Sequence, residues 1–195
     1  MNAANPSFTE KKTGLSAGLP GVSIGQKIIV LGCPGSGKSR FSARLHELTS
    51  LPLTHLDNVW WRPDGTHISR EEFDERLCAL MRAGRWILDG DYSRTYEPRI
   101  RACDTVVFLD FAEAECMDGI AARVGKARAD IPWIENALDP ALVRVVRNYR
   151  TENRPIVYAL LEKYPEKQRL IFRDRKQADA WLSALGESRG ETPPA

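Results

Sequence analysis

Gly32, Gly37, Lys38 and Ser39 stand in the stretch GCPGSGKS, between the apolar run KIIVL and the stretch RFSARLHEL. A glycine, four residues and then Gly-Lys-Ser is the spacing of a phosphate-binding loop. Successive backbone N–H groups in such a loop turn inward and make a nest for phosphate oxygens, and glycine supplies the positive φ values and close approach this needs. A helix that starts at about Lys38 aims its N-terminal dipole and its free N–H groups at the same anion. Lys38 is then expected on the β- and γ-phosphates, and the Ser39 hydroxyl on Mg²⁺.

Three carboxylates close candidate strands. Asp89 follows WIL and fits a Walker-B-like ligand of magnesium or of its waters, with an Asx turn at DG as the alternative. Asp110 closes the other apolar candidate strand and ranks second, because the helix starting at about Glu113 would use a cap near there. Asp57, in THLDNVWW, is read at the end of the strand next to the loop. It is placed either to take a proton from an attacking hydroxyl or help hold magnesium, or simply to make a turn. Trp60 and Trp61 read as packing or as an acceptor platform. Arg62 and Arg94 read as a clamp on an acceptor's phosphate or carboxylate, or as surface residues.

The basic cluster Arg123, Lys126 and Arg128 precedes ADIPWIENALDP, and Arg144, Arg147, Arg150 and Arg154 follow as a stripe on one helix side. Seven bases in this segment face only Asp130, Glu135, Asp139 and Glu152. The surplus suggests a lid over about 123–154 that stays open until triphosphate supplies anions, at least two of the seven serving that role. Cys33, inside the loop, reads as a small filler.

The elements that must position these groups alternate between apolar runs and helical patterns, as in parallel α/β folds. Strands are expected at about 27–31, at PLTHL, RWIL, DTVVFLD and QRLIF. Helices are expected over about 38–48 and 113–127, after the capping pair Ser69 and Glu72, and after the cap Asp139–Pro140 with a restart at Pro155. A last helix is capped by Asp174 and ends before Gly186. Five parallel strands with the phosphate loop after the first make a three-layer, doubly wound sheet, whose ligands sit beyond the strands' carboxyl ends. Residues 1–25 and 186–195 lack apolar periodicity and read as disordered tails around one domain over 26–185.

The chain has 195 residues, 43% of them hydrophobic, enough for one full core. Twenty-eight Lys and Arg against 26 Asp and Glu leave +2, a balance that argues against broad nucleic-acid binding. Cys33, Cys78, Cys103 and Cys116 have no C-x-x-C spacing, so free thiols are expected and a zinc site is not. Neither a membrane-length apolar run nor a signal-peptide core is present, so the expected setting is the cytoplasm, for a monomer or a dimer.

GCPGSGKS, WILDGDYSRT, DTVVFLDFAEAEC and NYRTENRP together resemble the adenylate-kinase-like P-loop proteins often labelled DNA topology modulation proteins, over about residues 26–185. The resemblance implies a nucleoside-monophosphate-kinase-like fold with strand order 2-3-1-4-5, an acceptor segment after the second strand and a lid after the fourth. It implies that Gly32, Gly35, Ser36, Gly37, Lys38, Ser39 and Arg40 hold the ATP phosphates, and that Asp89 matches the aspartate of the adenylate kinase DG motif. Asp57 is similar in placement to the acceptor-side aspartate of shikimate-kinase-like enzymes, with Tyr92 of DGDY on the same side. Arg123 matches the first lid arginine, which packs against the ATP base, and Arg128 a second. DGDYSR lacks the Pro-Arg of adenylate kinases, carries Arg94 one place later, and residues 57–72 show no AMP-binding Thr and Arg. These departures weigh against AMP as acceptor more than against ATP as donor. The expected activity is magnesium-dependent transfer of the ATP γ-phosphoryl to a nucleotide or small hydroxylated acceptor. The alternative is an ATP-dependent regulatory or nucleic-acid-associated P-loop protein with slow ATPase activity.

Overall fold

The computed structural model describes residues 24–190, apart from 129 and 132. Strands β1 (Lys27–Gly32), β2 (Leu53–His55), β3 (Trp86–Asp89), β4 (Thr105–Leu109) and β5 (Gln168–Phe172) form one sheet in the order β2-β3-β1-β4-β5. Every pairing is parallel. The inner strands are buried along nearly their whole length, and KIIVL and TVVFL therefore read as continuous apolar runs.

Helix α1 (Lys38–Thr49) carries the chain from β1 outward to β2, and α2 (Leu56–Trp60) and α3 (Arg70–Met81) lead back to β3. Helix α4 (Tyr96–Ala102) then runs the opposite way along the sheet to β4. Right-handed crossovers in opposite directions put α1 and α4 on opposite faces, so a three-layer doubly wound fold follows from the order alone. Helices α5 (Glu113–Ala121), α6 (Pro140–Tyr149) and α7 (Asn153–Lys163) precede β5, with α7 against α4. Helix α8 (Arg175–Ser188) packs on α1, where Phe41 stacks on Trp181 with ring centroids 6.0 Å apart.

Local chemistry explains the helix starts. The Ser69 hydroxyl accepts from the Glu72 N–H, Asp139 from Ala141, and Asp174 from Gln177. The break between α6 and α7 falls at residues 150–152, just before Pro155.

Several boundaries differ from the sequence expectation. Asp57 lies in the first turn of α2, because β2 already ends at His55. Helix α5 stops at Ala121 rather than near 127. Helix α8 continues through Gly186 to Ser188, since Leu185 and Gly186 are still buried there. Of the expected tails, residues 1–23 and 191–195 lie outside the described residues, while Ile24 belongs to the core at 7% exposure. Among the described residues no helix is long and apolar enough to cross a membrane.

Candidate active site

The strand register brings the chemistry together. Asp89 pairs with Val30 on one side and with His55 on the other, so the carboxyl ends of β1, β2 and β3 open into one cleft. That cleft encloses about 1370 Å³ and is lined by the phosphate loop, α2, the turn after β3, and the segment between α5 and α6. That exceeds the roughly 300–1,000 Å³ of an ordinary small-ligand pocket.

The loop has the backbone its glycines permit. Gly35 and Gly37 sit at φ 86° and 89°, and Gly37 is the N-cap of α1. A Cβ on Gly35 would lie 2.0 Å from the Cys116 carbonyl oxygen, so α5 packs directly on the loop. Gly32 and Ser36 are buried beneath the surface, whereas Gly35, Gly37, Lys38, Ser39 and Arg40 line the cleft. Lys38 Nζ donates to the Gly32 and Cys33 carbonyls at 2.7 and 3.1 Å. Arg40 pairs with Asp179 at 2.7 Å on the rim. Cys33 is buried. Arg175, at the start of α8, also reaches the loop, its guanidinium donating to the Gly35 carbonyl at 3.4 Å. No spacing signal marked it.

Asp89 is 3% exposed. His55 Nδ1 donates to its Oδ2 at 2.6 Å, and its Oδ1 is buried with no hydrogen-bond partner. Burial pulls the His55 pKa down, but the Asp89 hydrogen bond and the charges of Asp89, Asp130 and Asp57 raise it overall. His55 is a site residue the sequence reading missed, although it stands two places before Asp57. Asp110 is engaged on the far side of the sheet, where it accepts from Arg154 at 2.7 and 3.0 Å, from the Tyr158 hydroxyl at 2.6 Å and from Arg173. It does not line the cleft. The orphaned Asp89 oxygen and the Ser39 hydroxyl suit Mg²⁺, which binds through one or two carboxylates plus substrate phosphates and waters. No cluster of three or more metal-holding side chains occurs among the described residues.

Asp57 Oδ1 accepts from the Tyr92 hydroxyl at 2.7 Å. Burial, then the charges of Asp89 and Asp130, raise the Asp57 pKa against the pull of Tyr92 and Lys38. Tyr92 is one of two non-glycine residues with positive φ among the described residues, at 34°. Arg99 holds that strained turn from below. Fully buried, Arg99 donates to the carbonyls of Gly90 at 2.7 Å, Tyr92 at 3.2 Å and Thr95 at 3.2 Å, and to that of Asp91. The Asp91 carboxylate in turn accepts from Tyr149 at 3.0 Å and Asn153 at 2.9 Å. The NYRTENRP motif thus ties α6 and α7 to the ends of β3 and β4, through Tyr149, Asn153 and Arg154.

The expected arginine clamp is not formed in the cleft. Arg94 makes a bidentate pair with Asp74, both contacts at 2.7 Å, and Arg62 donates to the His67 carbonyl at 3.3 Å beside Glu72. Both side chains are about half exposed and neither lines the cleft. Trp60 stacks on His67 at 4.5 Å, and Trp61 meets Trp133 edge-on at 5.4 Å, so both expected tryptophans do line the cleft with Trp133.

In the segment after α5 the cluster arginines are paired with acids. Arg123 Nε lies 2.8 Å and Arg128 Nη1 2.9 Å from Glu135 Oε2, and Arg128 also donates to Asp130 Oδ1 at 2.9 Å. Asp130 Oδ2 accepts from the Ser39 hydroxyl at 2.6 Å. Burial alone would raise the Asp130 pKa, but the Arg128 and Ser39 bonds bring it below the ordinary value. The acids, a minority by count, are placed where the bases are. Lys126 lines the cleft, whereas Arg144, Arg147 and Arg150 face solvent and Arg154 is structural.

No protein-family model matches the chain, and no curated protein matches its sequence. Among solved structures it is similar to shikimate kinase from Acinetobacter baumannii in complex with shikimate, at a TM-score of 0.55 and 16% identity. The match covers 82% of this chain and 90% of that one. At that identity the likeness shows the fold alone: a five-stranded parallel α/β sheet ordered 2-3-1-4-5.

Proposed function

We propose that this chain is a magnesium-dependent phosphotransferase that moves the γ-phosphoryl of ATP to a hydroxyl of a small acceptor. The carrying observation is the placement of Asp57 across the same cleft from Lys38, close enough for the Lys38 charge to bear on its pKa. A phosphate loop alone serves many uses. A phosphate loop facing a half-buried carboxylate that can take a proton serves phosphoryl transfer. The kinase-type fold and the motif resemblance to the adenylate-kinase-like group support the same reading.

The backbone of Gly35–Ser39 would cradle the triphosphate, and Lys38 would leave its loop carbonyls for the β- and γ-phosphate oxygens. Ser39 and Asp89 would hold Mg²⁺, which when bound neutralises phosphate charge and orients the transferring group. Asp57 takes the proton of the acceptor hydroxyl as that oxygen bonds to the γ-phosphorus and the bond to the β-phosphate oxygen breaks. Tyr92 keeps the Asp57 carboxylate oriented. Arg123 and Arg128 can reach the transferring group only by exchanging Glu135 and Asp130 for phosphate.

A phosphorus NMR assay with Mg-ATP and a panel of small alcohols tests this. A new phosphate ester, lost in Lys38→Ala and Asp57→Asn, is the expected result. ADP and inorganic phosphate with no ester would favour the slow regulatory ATPase.

A further inference from the structure

The acceptor's chemical class can be read from what the cleft lacks. Resting on the phosphotransferase reading, we propose that the acceptor is an uncharged, ring-bearing alcohol of nucleoside-like chemistry, rather than a nucleotide or a hydroxy acid. On the acceptor side, α2 supplies Asp57 and Trp60, the residue after it is Trp61, the turn after β3 supplies Asp91 and Tyr92, and Trp133 faces them. Among the described residues that wall contains no lysine or arginine. The cleft's cations stand on the loop, on α1, after α5 and at the start of α8. Between α5 and α6, Arg123 and Arg128 are already engaged by Glu135 and Asp130, and Lys126 stands in the same segment rather than on the aromatic wall.

The basic residues near the acceptor wall in sequence are also committed elsewhere. Arg94 is held by Asp74 outside the cleft, Arg62 turns to the His67 carbonyl, and the Arg99 donors go to loop carbonyls beneath the floor. A phosphate or carboxylate seated against that wall would therefore face Asp57 and Asp91 with no lysine or arginine on the wall beside it, and like charges at such short range repel.

What the wall does offer is flat apolar surface. Trp61 and Trp133 approach edge to face from two separate segments, and Trp60 and Tyr92 lie alongside, with Phe73 stacked behind Tyr92 at 4.9 Å. The four cleft-lining aromatics are partly exposed, so they keep face area for a ring. The carboxylates are mostly satisfied from within: Asp91 by Tyr149 and Asn153, Asp57 on one oxygen by Tyr92. The remaining Asp57 oxygen suits one hydroxyl proton. This demand favours an alcohol over an ammonium group.

The test is transfer from radiolabelled Mg-ATP to three sets of acceptors, with the full chain. One set is uncharged nucleosides, the second their 5′-monophosphates with shikimate, and the third ammonium-bearing alcohols such as choline. We expect an uncharged nucleoside to lead, its own 5′-monophosphate to be worse in kcat/KM by at least about 100-fold, and choline to be no better. Trp61→Ala and Trp133→Ala should each raise the acceptor KM by about tenfold through lost stacking, while the KM for ATP stays put. A monophosphate, shikimate or choline as preferred acceptor would overturn this assignment and leave the phosphotransferase reading standing. ATP split only to water with every compound would overturn both.

Discussion

The Ser39 hydroxyl donates to Asp130 Oδ2 at 2.6 Å, joining the phosphate loop to a residue 91 positions further along the chain. The same carboxylate is gripped by Arg128. A side chain suited to a metal ion is thus held by the carboxylate of a distant segment.

That contact predicts a measurable competition. Asp130→Asn keeps a hydrogen-bond acceptor for Ser39 but removes the charge that opposes phosphate. ATP should bind about fivefold or more tightly in calorimetry without magnesium, a coupling in the usual range for linked sites. Equal affinities for the variant and the parent would show that the contact does not gate the loop.

Lys38→Ala removes the cation meant for the β- and γ-phosphates without touching a core contact, since Lys38 bonds only to loop carbonyls. Turnover should fall by about 100-fold or more, with the circular dichroism spectrum and melting temperature close to those of the parent. Near-normal turnover would remove the loop from the mechanism.

Asp57 and Asp89 should separate by assay. Asp57→Asn should cut transfer by about 100-fold or more and spare ATP binding, whereas Asp89→Asn should weaken the response to magnesium. The pH dependence has a definite sign. Only ionised Asp57 accepts a proton, and burial raises its pKa above 3.8, so the acid limb of kcat should lie above the ordinary carboxyl range. The same shift favours the folded state while Asp57 is protonated and is lost as pH rises through the folded-state pKa. Asp57→Asn should therefore melt about 2 °C or more above the parent at pH 7 and lose that advantage in acid. A variant that melts no higher at neutral pH would contradict the buried-charge account.

The arginines between β4 and β5 should divide into three groups. Arg123→Ala and Arg128→Ala should slow transfer by at least about tenfold. Arg144→Ala, Arg147→Ala and Arg150→Ala, facing solvent, should each stay within about twofold. Asp110→Ala should cost stability instead, about 1–2 kcal/mol, because Arg154, Tyr158 and Arg173 lose a shared acceptor, while the two arginines left behind still reach water. Denaturant melts and initial rates on the same variants would decide. Wild-type rates in both Arg123→Ala and Arg128→Ala would leave the segment without a part in the reaction.

What the sequence determined by itself was the local chemistry. Gly-x4-Gly-Lys-Ser dictates a loop because only glycine takes the positive φ at residues 35 and 37 cheaply. The apolar runs ending at Asp89 and Asp110 dictate buried parallel strands, and Ser69, Asp139 and Asp174 start their helices by bonding N–H groups two or three residues away. All of these depend on neighbours in the chain. Which carboxylate serves the loop was a tertiary matter: β3 lies between β1 and β2, so Asp89 meets His55 and the cleft, while Asp110, next to β5, meets Arg154 and Arg173. So was the fate of the arginines. Arg94 and Asp74 are 20 residues apart, Arg123 and Glu135 are 12 apart, and neither pairing has a periodic signature. Charge counting finds a surplus of bases because it has no distances. Coulomb attraction falls with separation, and only the folded chain places Glu135 and Asp130 within 3 Å of the bases they neutralise.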